Sequence, residues 1–237
     1  TWIKYGGIFP KYMAGHSLGE YAALVCAGIL DYEKAMSIVV KRARLMQEAV
    51  PAGVGAMAAV IGLDQQNLDD ICVKISVDTG LVVECANLNT PEQIVLSGNK
   101  RAVELARDES LSSGAKKVIY LDVSIPSHCR LMEKAASKLK EELEKGICRK
   151  SDIQVIQNVD AKVHVTDAEI RENLVKQLYS PVKWTQTVKT LKEYGCTKIY
   201  ECGPGKVLAG LCKRIDKKLV VGALSSLDAL KNLGLQQ

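Results

Sequence analysis

The chain has 237 residues, 47% of them hydrophobic and 25% charged, and this balance excludes disordered, collagen-like and coiled-coil proteins. Its 32 basic and 27 acidic residues give a net charge of +5, spread too evenly to indicate a nucleic-acid-binding surface. The longest apolar run, residues 21–30, is far shorter than the roughly 18 residues that span a bilayer. We therefore predict a cytoplasmic globular protein that binds neither nucleic acid nor a membrane.

The eight cysteines include no C-x-x-C pair, which argues against a zinc knuckle or a redox motif. A chain of this size needs no disulfide framework, so the cysteines indicate a reducing compartment. No signal peptide is recognisable. Residues 2–7 are typical of a last helical turn closed by glycine, and we expect part of the fold to precede Thr1.

Apolar periodicity predicts the secondary structure of the first half of the chain. A helical pattern over residues 22–47 is interrupted by Asp31, which can cap a second helix that begins near Tyr32. Strands and helices then alternate, with strands at 55–62, 81–86, 93–96 and 117–123 and helices at 65–75 and 100–112. The two central strands are joined by Asn-Leu-Asn-Thr-Pro. This β-α-β-β-α-β order is that of a ferredoxin-like unit.

The second half of the chain returns to alternating helices and strands. Helices are predicted at 132–145, 167–179, 182–194 and from the 203–205 turn to 215, and strands at 153–158 and 198–201. Alternation of this kind favours a parallel sheet as the main body. We predict an α/β fold in which residues 1–52 and 124–237 form a hydrolase-like parallel-sheet domain. Residues 53–123 form an inserted ferredoxin-like subdomain.

The strongest functional motif is Gly15-His16-Ser17-Leu18-Gly19, which satisfies G-x-S-x-G. In a nucleophile elbow the serine lies on a sharp turn from a strand to a helix, and small flanking residues are needed because the backbone folds back on itself. A short strand-like run precedes Ser17 and a helix follows it. Ser17 is therefore a candidate nucleophile, and the backbone N–H of Leu18 is a candidate oxyanion donor.

A serine nucleophile needs a base, and the chain contains three histidines. The side chain of His16 belongs to the elbow and is expected to point away from Ser17. His164 lies in a polar stretch where a solvated surface imidazole is expected. His128 follows a predicted strand in a proline-containing turn, where α/β folds place functional residues, and we predict that it is the base.

Arg42 lies within the apolar stripe of the second helix, whereas Lys41 and Glu48 lie on the opposite face. A guanidinium on the buried side must find an anion or several acceptors. A structural arginine paired with a buried carboxylate is one interpretation. Beside a serine nucleophile, the other is a fixed cation that binds a substrate carboxylate through two hydrogen bonds.

Five segments together resemble a known family over nearly the whole chain. They are GHSLGEYAALVCAG, RARLMQEAVP, IPSHC, QLYSPVKW and GPGKVLAGL, in that order. They are similar to the malonyl-CoA:acyl carrier protein transacylases of bacterial fatty-acid synthesis. The resemblance implies that Ser17 is acylated, that His128 is its base and that Arg42 binds the malonyl carboxylate. It also implies that the backbone carbonyl of Gln177 orients the histidine.

The same resemblance implies the substrates and the partners. Malonyl-CoA and acyl carrier protein are expected to bind without a cofactor or a metal, to a monomer, with His16 and Met46 among the substrate contacts. The carrier protein is acidic in this family, so Arg44 and Arg130 are candidates for a basic rim. Family members open with a strand and loop whose glutamine provides a second oxyanion donor, and no such segment precedes His16 in this sequence.

Two other functions remain open. A serine thioesterase or hydrolase sharing the elbow would release free malonate without a carrier. A non-catalytic module that docks carrier protein would not be acylated at all. Whether Ser17 accepts an acyl group separates these alternatives.

Overall fold

Short strands alternate with helices along the chain. The computed structural model describes residues 2–123, 125–144 and 149–231. The strands are β1 Tyr12–Ala14, β2 Gly55–Ile61, β3 Val83–Thr90, β4 Gln93–Asn99, β5 Lys117–Tyr120, β6 Gln154–Ile156, β7 Lys198–Glu201 and β8 Val220–Ala223. The helices are α1 Leu18–Cys26, α2 Tyr32–Ala49, α3 Gln65–Thr79, α4 Lys100–Ser112, α5 Glu133–Glu144, α6 Asp167–Lys176, α7 Trp184–Glu193, α8 Val207–Ile215 and α9 Leu227–Lys231.

The largest hydrophobic core lies among α1, α2, α5 and α6. Helix α2 begins as predicted, because the side chain of Asp31 accepts a hydrogen bond from the Lys34 N–H and so satisfies one of the free donors of the first turn. The inward faces of these helices contribute residues such as Leu24, Ile38, Leu139 and Leu174 to one continuous cluster. Strands β1 and β6 pair in parallel beside it and place Ser17 at the end of β1.

A second core belongs to the segment between α2 and α5. Its strands form one antiparallel sheet in the order β3-β4-β2-β5, and α3 and α4 pack their apolar faces on it. The β-α-β-β-α-β order predicted from the sequence is therefore confirmed. The N–H of Leu88 donates to the carbonyl of Val182, and the N–H of Val182 donates to the carbonyl of Ala86. These two bonds attach β3 to the rest of the protein.

The parallel strands form two separate pairs rather than the single sheet that the alternation suggested. Within the described part of the chain, β1 pairs only with β6, and β7 pairs only with β8. Helices α7 and α8 pack on the second pair through a cluster that includes Trp184, Val188 and Leu211. Ala14 of β1 and Ile199 of β7 both pack against this cluster, so the two pairs lie side by side.

Several predicted boundaries were wrong. The Asn-Leu-Asn-Thr segment is the end of strand β3, not a loop, because it pairs with β4 across two irregularities in register. Strand β6 is shorter than predicted, and β8 and α9 were missed because each has at most five residues. The predicted domain boundary at residue 124 and the predicted helix end at residue 145 lie outside the described residues.

Two further observations concern the environment of the chain. Over the residues that the structure describes, no helix combines the length and the apolar content needed to cross a bilayer. The seven cysteines in that part of the chain are free thiols. Cys148 lies outside it.

Candidate active site

Ser17 lies on a strained turn between β1 and α1. Its backbone has φ 52° and ψ −108°, a conformation that costs a residue other than glycine roughly 1–3 kcal/mol. A Cβ atom added to Gly15 would lie 1.9 Å from the backbone of Gly19, so the turn requires a glycine at position 15. The predicted need for a small residue does not extend to Gly19, where an added Cβ meets no atom within 4 Å.

Asn158 holds the strained turn from both sides. Its Oδ1 accepts a hydrogen bond from the Ser17 N–H at 2.7 Å, and its Nδ2 donates to the Gly15 carbonyl at 2.6 Å. Asn158 is fully buried just after strand β6, which is the parallel partner of β1. The pairing of these strands thus brings the amide under the serine.

His128 is placed to accept a proton from Ser17. Its Nε2 lies 2.8 Å from Ser17 Oγ, and its Nδ1 lies 2.7 Å from the backbone carbonyl of Gln177. A carbonyl oxygen can only accept, so Nδ1 carries the hydrogen and Nε2 is left to accept the hydroxyl proton. The loop that carries His128 is held by a hydrogen bond from the His128 N–H to the Leu178 carbonyl at 2.9 Å.

The surroundings of His128 favour its neutral form. Burial and the nearby positive charge of Arg42 lower the pKa of His128 to about 3, although the Gln177 carbonyl favours the protonated ring. Because this pKa lies well below its usual value near 6.5, the imidazole is unprotonated at neutral pH. An unprotonated imidazole is the form that a general base requires.

We expect His128 to stay neutral between pH 8 and pH 5. The folded-state pKa lies below this window, so the ring gains no proton as the pH falls through 6.5. With only three histidines in the chain, NMR of protein labelled with ¹⁵N-histidine can follow each ring. The His128 signals, assigned by their loss in His128→Gln, should keep the shifts of the Nδ1–H tautomer. A titration midpoint near 6.5 would contradict this assignment.

Arg42 adds a cation to the pair. Its side chain is only 7% exposed, and one nitrogen, Nη2, donates to Ser17 Oγ at 3.0 Å and to Gln177 Oε1 at 3.1 Å. The ring of Tyr21 lies 5.7 Å from the guanidinium carbon. The Nε of Arg42 is buried without a hydrogen-bond partner among the described residues. The guanidinium therefore keeps donor capacity for an anion.

Leu18 begins helix α1 directly after the serine. Its side chain is exposed, and none of the described residues accepts a hydrogen bond from its backbone N–H. A free N–H at this helix end can donate to an oxygen that develops negative charge.

The orientation of His16 away from Ser17 stays a prediction, but its ring forms a hydrogen bond outside the Ser17–His128 pair. Its Nε2 lies 2.9 Å from Asn89 Oδ1 at the end of β3, and its ring packs near Trp184, with 5.7 Å between the ring centroids. Burial lowers the pKa of His16 from its usual value, while the hydrogen bond with Asn89 opposes that shift.

The other candidate residues lie apart from this hydrogen-bonded group. Met46 is buried in the largest core, one helical turn beyond Arg42, and its contact with a substrate stays a prediction. His164 is partly buried beside Asp160, 2.7 Å away, and is not the solvated imidazole that was expected. Arg130 forms an ion pair with Glu84, whose Oε2 also accepts from the Arg130 N–H at 2.8 Å.

A buried acid lies under the site. Glu20 is completely buried, and its carboxylate accepts hydrogen bonds at 2.9 Å from the side chains of Gln157 and Gln177 and from the backbone N–H of Asn158. Glu20, Asn158 and Asn89 were not predicted from the sequence. Glu20 carries the same signal as Arg42, a charge on the apolar face of a helix, but the two asparagines have no comparable signal.

The chain is similar to known proteins over almost its full length. It matches the model of the acyl transferase domain family over residues 1–214. It is 47% identical to malonyl CoA-acyl carrier protein transacylase of Escherichia coli (strain K12), over 97% of this chain and 74% of that protein. The same-named protein of Bacillus subtilis (strain 168) is 46% identical, over 97% of this chain and 72% of the relative.

Solved structures of such proteins have the same fold. The malonyl CoA-acyl carrier protein transacylase from Coxiella burnetii aligns with a TM-score of 0.95 and 44% identity, over 98% of this chain and 73% of that one. A malonyl-transacylase in complex with its type II PKS acyl-carrier protein aligns with a TM-score of 0.94 and 46% identity. That alignment covers 98% of this chain and 74% of the other.

Proposed function

Because the chain belongs to the malonyl CoA-acyl carrier protein transacylase family, we propose that it transfers malonyl groups from malonyl-CoA to acyl carrier protein in fatty-acid biosynthesis. The observation that carries this proposal is the hydrogen-bonded group of Ser17, His128 and Arg42. It supplies a nucleophile, a base and a buried cation within one chain. A transfer enzyme for a substrate with a free carboxylate needs these three.

In the first half-reaction the serine replaces coenzyme A on the malonyl group. Ser17 Oγ attacks the thioester carbonyl while its proton passes to His128 Nε2, and the Leu18 N–H donates to the oxyanion that forms. The carbon–sulfur bond then breaks, and the proton on His128 passes to the departing thiolate. The products are a malonyl ester on Ser17 and free coenzyme A.

In the second half-reaction the phosphopantetheine thiol of the carrier protein attacks this ester. His128 takes the thiol proton and returns it to Ser17 Oγ as the carbon–oxygen bond breaks. The backbone carbonyl of Gln177 accepts a hydrogen bond from His128 Nδ1 in both half-reactions, so the same tautomer serves the two steps. The enzyme is then ready for another malonyl-CoA.

Arg42 is the proposed binding group for the malonyl carboxylate. A guanidinium matches a carboxylate with two parallel hydrogen bonds, and the buried setting of Arg42 strengthens them. A neutral acyl group would offer this guanidinium no carboxylate to bind. Binding of the carboxylate also orients the ester, which disfavours attack by water. His16 and Met46 remain proposed substrate contacts.

Replacing Arg42 with alanine should lower kcat/KM for malonyl-CoA by about 100-fold, the effect of losing roughly 3 kcal/mol of charge-assisted hydrogen bonding. Acetyl-CoA has no carboxylate and should become the relatively better substrate. The measurement is the acylation rate of Ser17 with each thioester. Lys41→Ala, an exposed change on the same helix, is the matched control. An equal loss with both thioesters would make Arg42 a structural residue.

Product analysis tests the proposed function against hydrolysis and docking. Labelled malonyl-CoA is incubated with the protein, with and without the phosphopantetheinylated carrier protein. Malonyl carrier protein as the main product supports transfer. Free malonate at the same rate in both samples would support a serine thioesterase or hydrolase, and no turnover would support a docking module.

We also propose the finer description of the fold. Residues 53–123 would be a ferredoxin-like subdomain inserted into a hydrolase-like domain of residues 1–52 and 124–237. The separate core of the antiparallel sheet and its strand order support this division. The monomeric state stays a prediction. The cytoplasmic location and the lack of a cofactor stay predictions.

A further inference from the structure

The buried acid Glu20 is not used in the two half-reactions above. It lies three residues after Ser17 on α1, close to one helical turn, and its carboxylate points into the protein beneath the elbow. Every one of its three hydrogen-bond partners is an N–H donor. A carboxylate, with acceptors on both oxygens, satisfies all three donors, whereas an amide in the same place would face at least one of them with its own N–H.

The surrounding amides cannot turn around without losing other bonds. Gln157 Oε1 accepts from Asn173 Nδ2 at 3.2 Å, and its Nε2 also donates to the carbonyl of Ile170 at 3.2 Å. Gln177 Nε2 also donates to the carbonyl of Ser17 at 3.1 Å. The donors therefore have a fixed direction, and that direction requires an acceptor at position 20.

Two of the hydrogen-bond partners of Glu20 also contact Arg42 or Ser17. Gln177 directs Nε2 at Glu20 and, as a result, directs Oε1 at Arg42 Nη2. The backbone N–H of Asn158 donates to Glu20, and the side-chain oxygen of Asn158 accepts from the Ser17 N–H. The Glu20 carboxylate thus fixes the orientation of the Arg42 guanidinium through Gln177 and the turn at Ser17 through Asn158.

The positive charge of Arg42 also calls for an anion at position 20. The described hydrogen-bond acceptors of the Arg42 guanidinium, Ser17 Oγ and Gln177 Oε1, are both neutral. A buried cation is costly unless an anion is near. Glu20 reaches Arg42 across one intervening amide, that of Gln177.

We propose that Glu20 is a positioning residue whose carboxylate, acting through Gln177 and Asn158, holds Arg42 and Ser17 in their reactive arrangement and balances the Arg42 charge before the substrate arrives. This inference rests on the proposed malonyl transfer. Glu20 touches no reacting atom. Its loss should therefore affect the recognition of malonyl groups more than the intrinsic ability of Ser17 to be acylated.

The acid must be ionised when the inference is tested. Burial raises the pKa of Glu20 to about 7, while the hydrogen bonds from Gln177, Gln157 and Asn158 and the charge of Arg42 favour the carboxylate. Measurements at pH 8.5 lie above this value. At pH 8.5 the Glu20 carboxylate of the wild-type protein carries the negative charge that Glu20→Gln removes.

The test is a double-mutant cycle on the choice between malonyl-CoA and acetyl-CoA, with Glu20→Gln, Gln177→Met and the two combined. Gln177→Met removes the amide but keeps the backbone carbonyl that orients His128. A misplaced reacting group costs on the order of 100-fold in rate, so Glu20→Gln should lower malonyl acylation by about that factor and acetyl acylation by less than about 10-fold. Gln177→Met should also lower the ratio of the malonyl to the acetyl acylation rate. The double variant should lower this ratio no further than the larger of the two single effects.

Glu48→Gln, the same substitution at an exposed position of α2, should keep the wild-type ratio. A folded Glu20→Gln protein with the wild-type ratio, whatever its stability, would overturn the inference. Should Glu20→Gln fail to fold, a wild-type ratio in Gln177→Met would overturn it instead. Wild-type protein that malonyl-CoA does not acylate would overturn the proposed function and this inference together, which distinguishes the two failures.

Discussion

Replacing Ser17 with alanine should reduce malonyl transfer by at least about 10⁴-fold, because no other group can form the ester on which both half-reactions depend. The alanine keeps the backbone N–H that donates to Asn158 Oδ1, so the elbow should still form. The measurement is steady-state formation of malonyl carrier protein.

Ser37→Ala is the matched control for this change. Ser37 is exposed on α2, and its loss should leave turnover unchanged. Binding of malonyl-CoA to Ser17→Ala should persist, since Arg42 is still present. Turnover within about 10-fold of wild type would contradict the assignment of Ser17 as the nucleophile, because removal of a nucleophile costs far more than that.

Replacing His128 with alanine should lower the rate of Ser17 acylation by about 10³- to 10⁴-fold, the upper part of the range for a general base. Without Nε2 at 2.8 Å, no other described residue is placed to accept the proton of the serine hydroxyl. Stopped-flow measurement of coenzyme A release reports this step alone.

His164→Ala provides the comparison, since it removes the same side chain from a position beside Asp160. That variant should be acylated at the wild-type rate. A loss in His128→Ala no larger than the loss in His164→Ala would mean that another group accepts the serine proton.

The three residues proposed to carry the reaction could be singled out from the sequence because each leaves a local signal. The glycine at position 15 and the helix that follows mark Ser17, and the predicted end of a strand marks His128. Arg42 was found from its position on the buried face of a helix. The structure brings these three residues together across separations of 25 and 111 positions in the chain.

The supporting residues could not be predicted in the same way. Asn158 acts on Ser17 across 141 positions, and only the parallel pairing of β1 and β6 places it there. Asn89 lies in a polar segment typical of a loop, which the neighbouring strand β4 holds as part of β3. Such residues are specified by tertiary contacts, and local periodicity carries no information about these.

Intact-protein mass spectrometry after brief mixing with malonyl-CoA tests the central claim most directly. We predict a single malonyl adduct on the wild-type protein, none on Ser17→Ala, and loss of the adduct when phosphopantetheinylated carrier protein is added. The adduct should appear on the carrier in equal amount. An unmodified wild-type protein, or an adduct that water removes as fast as the carrier does, would contradict the account.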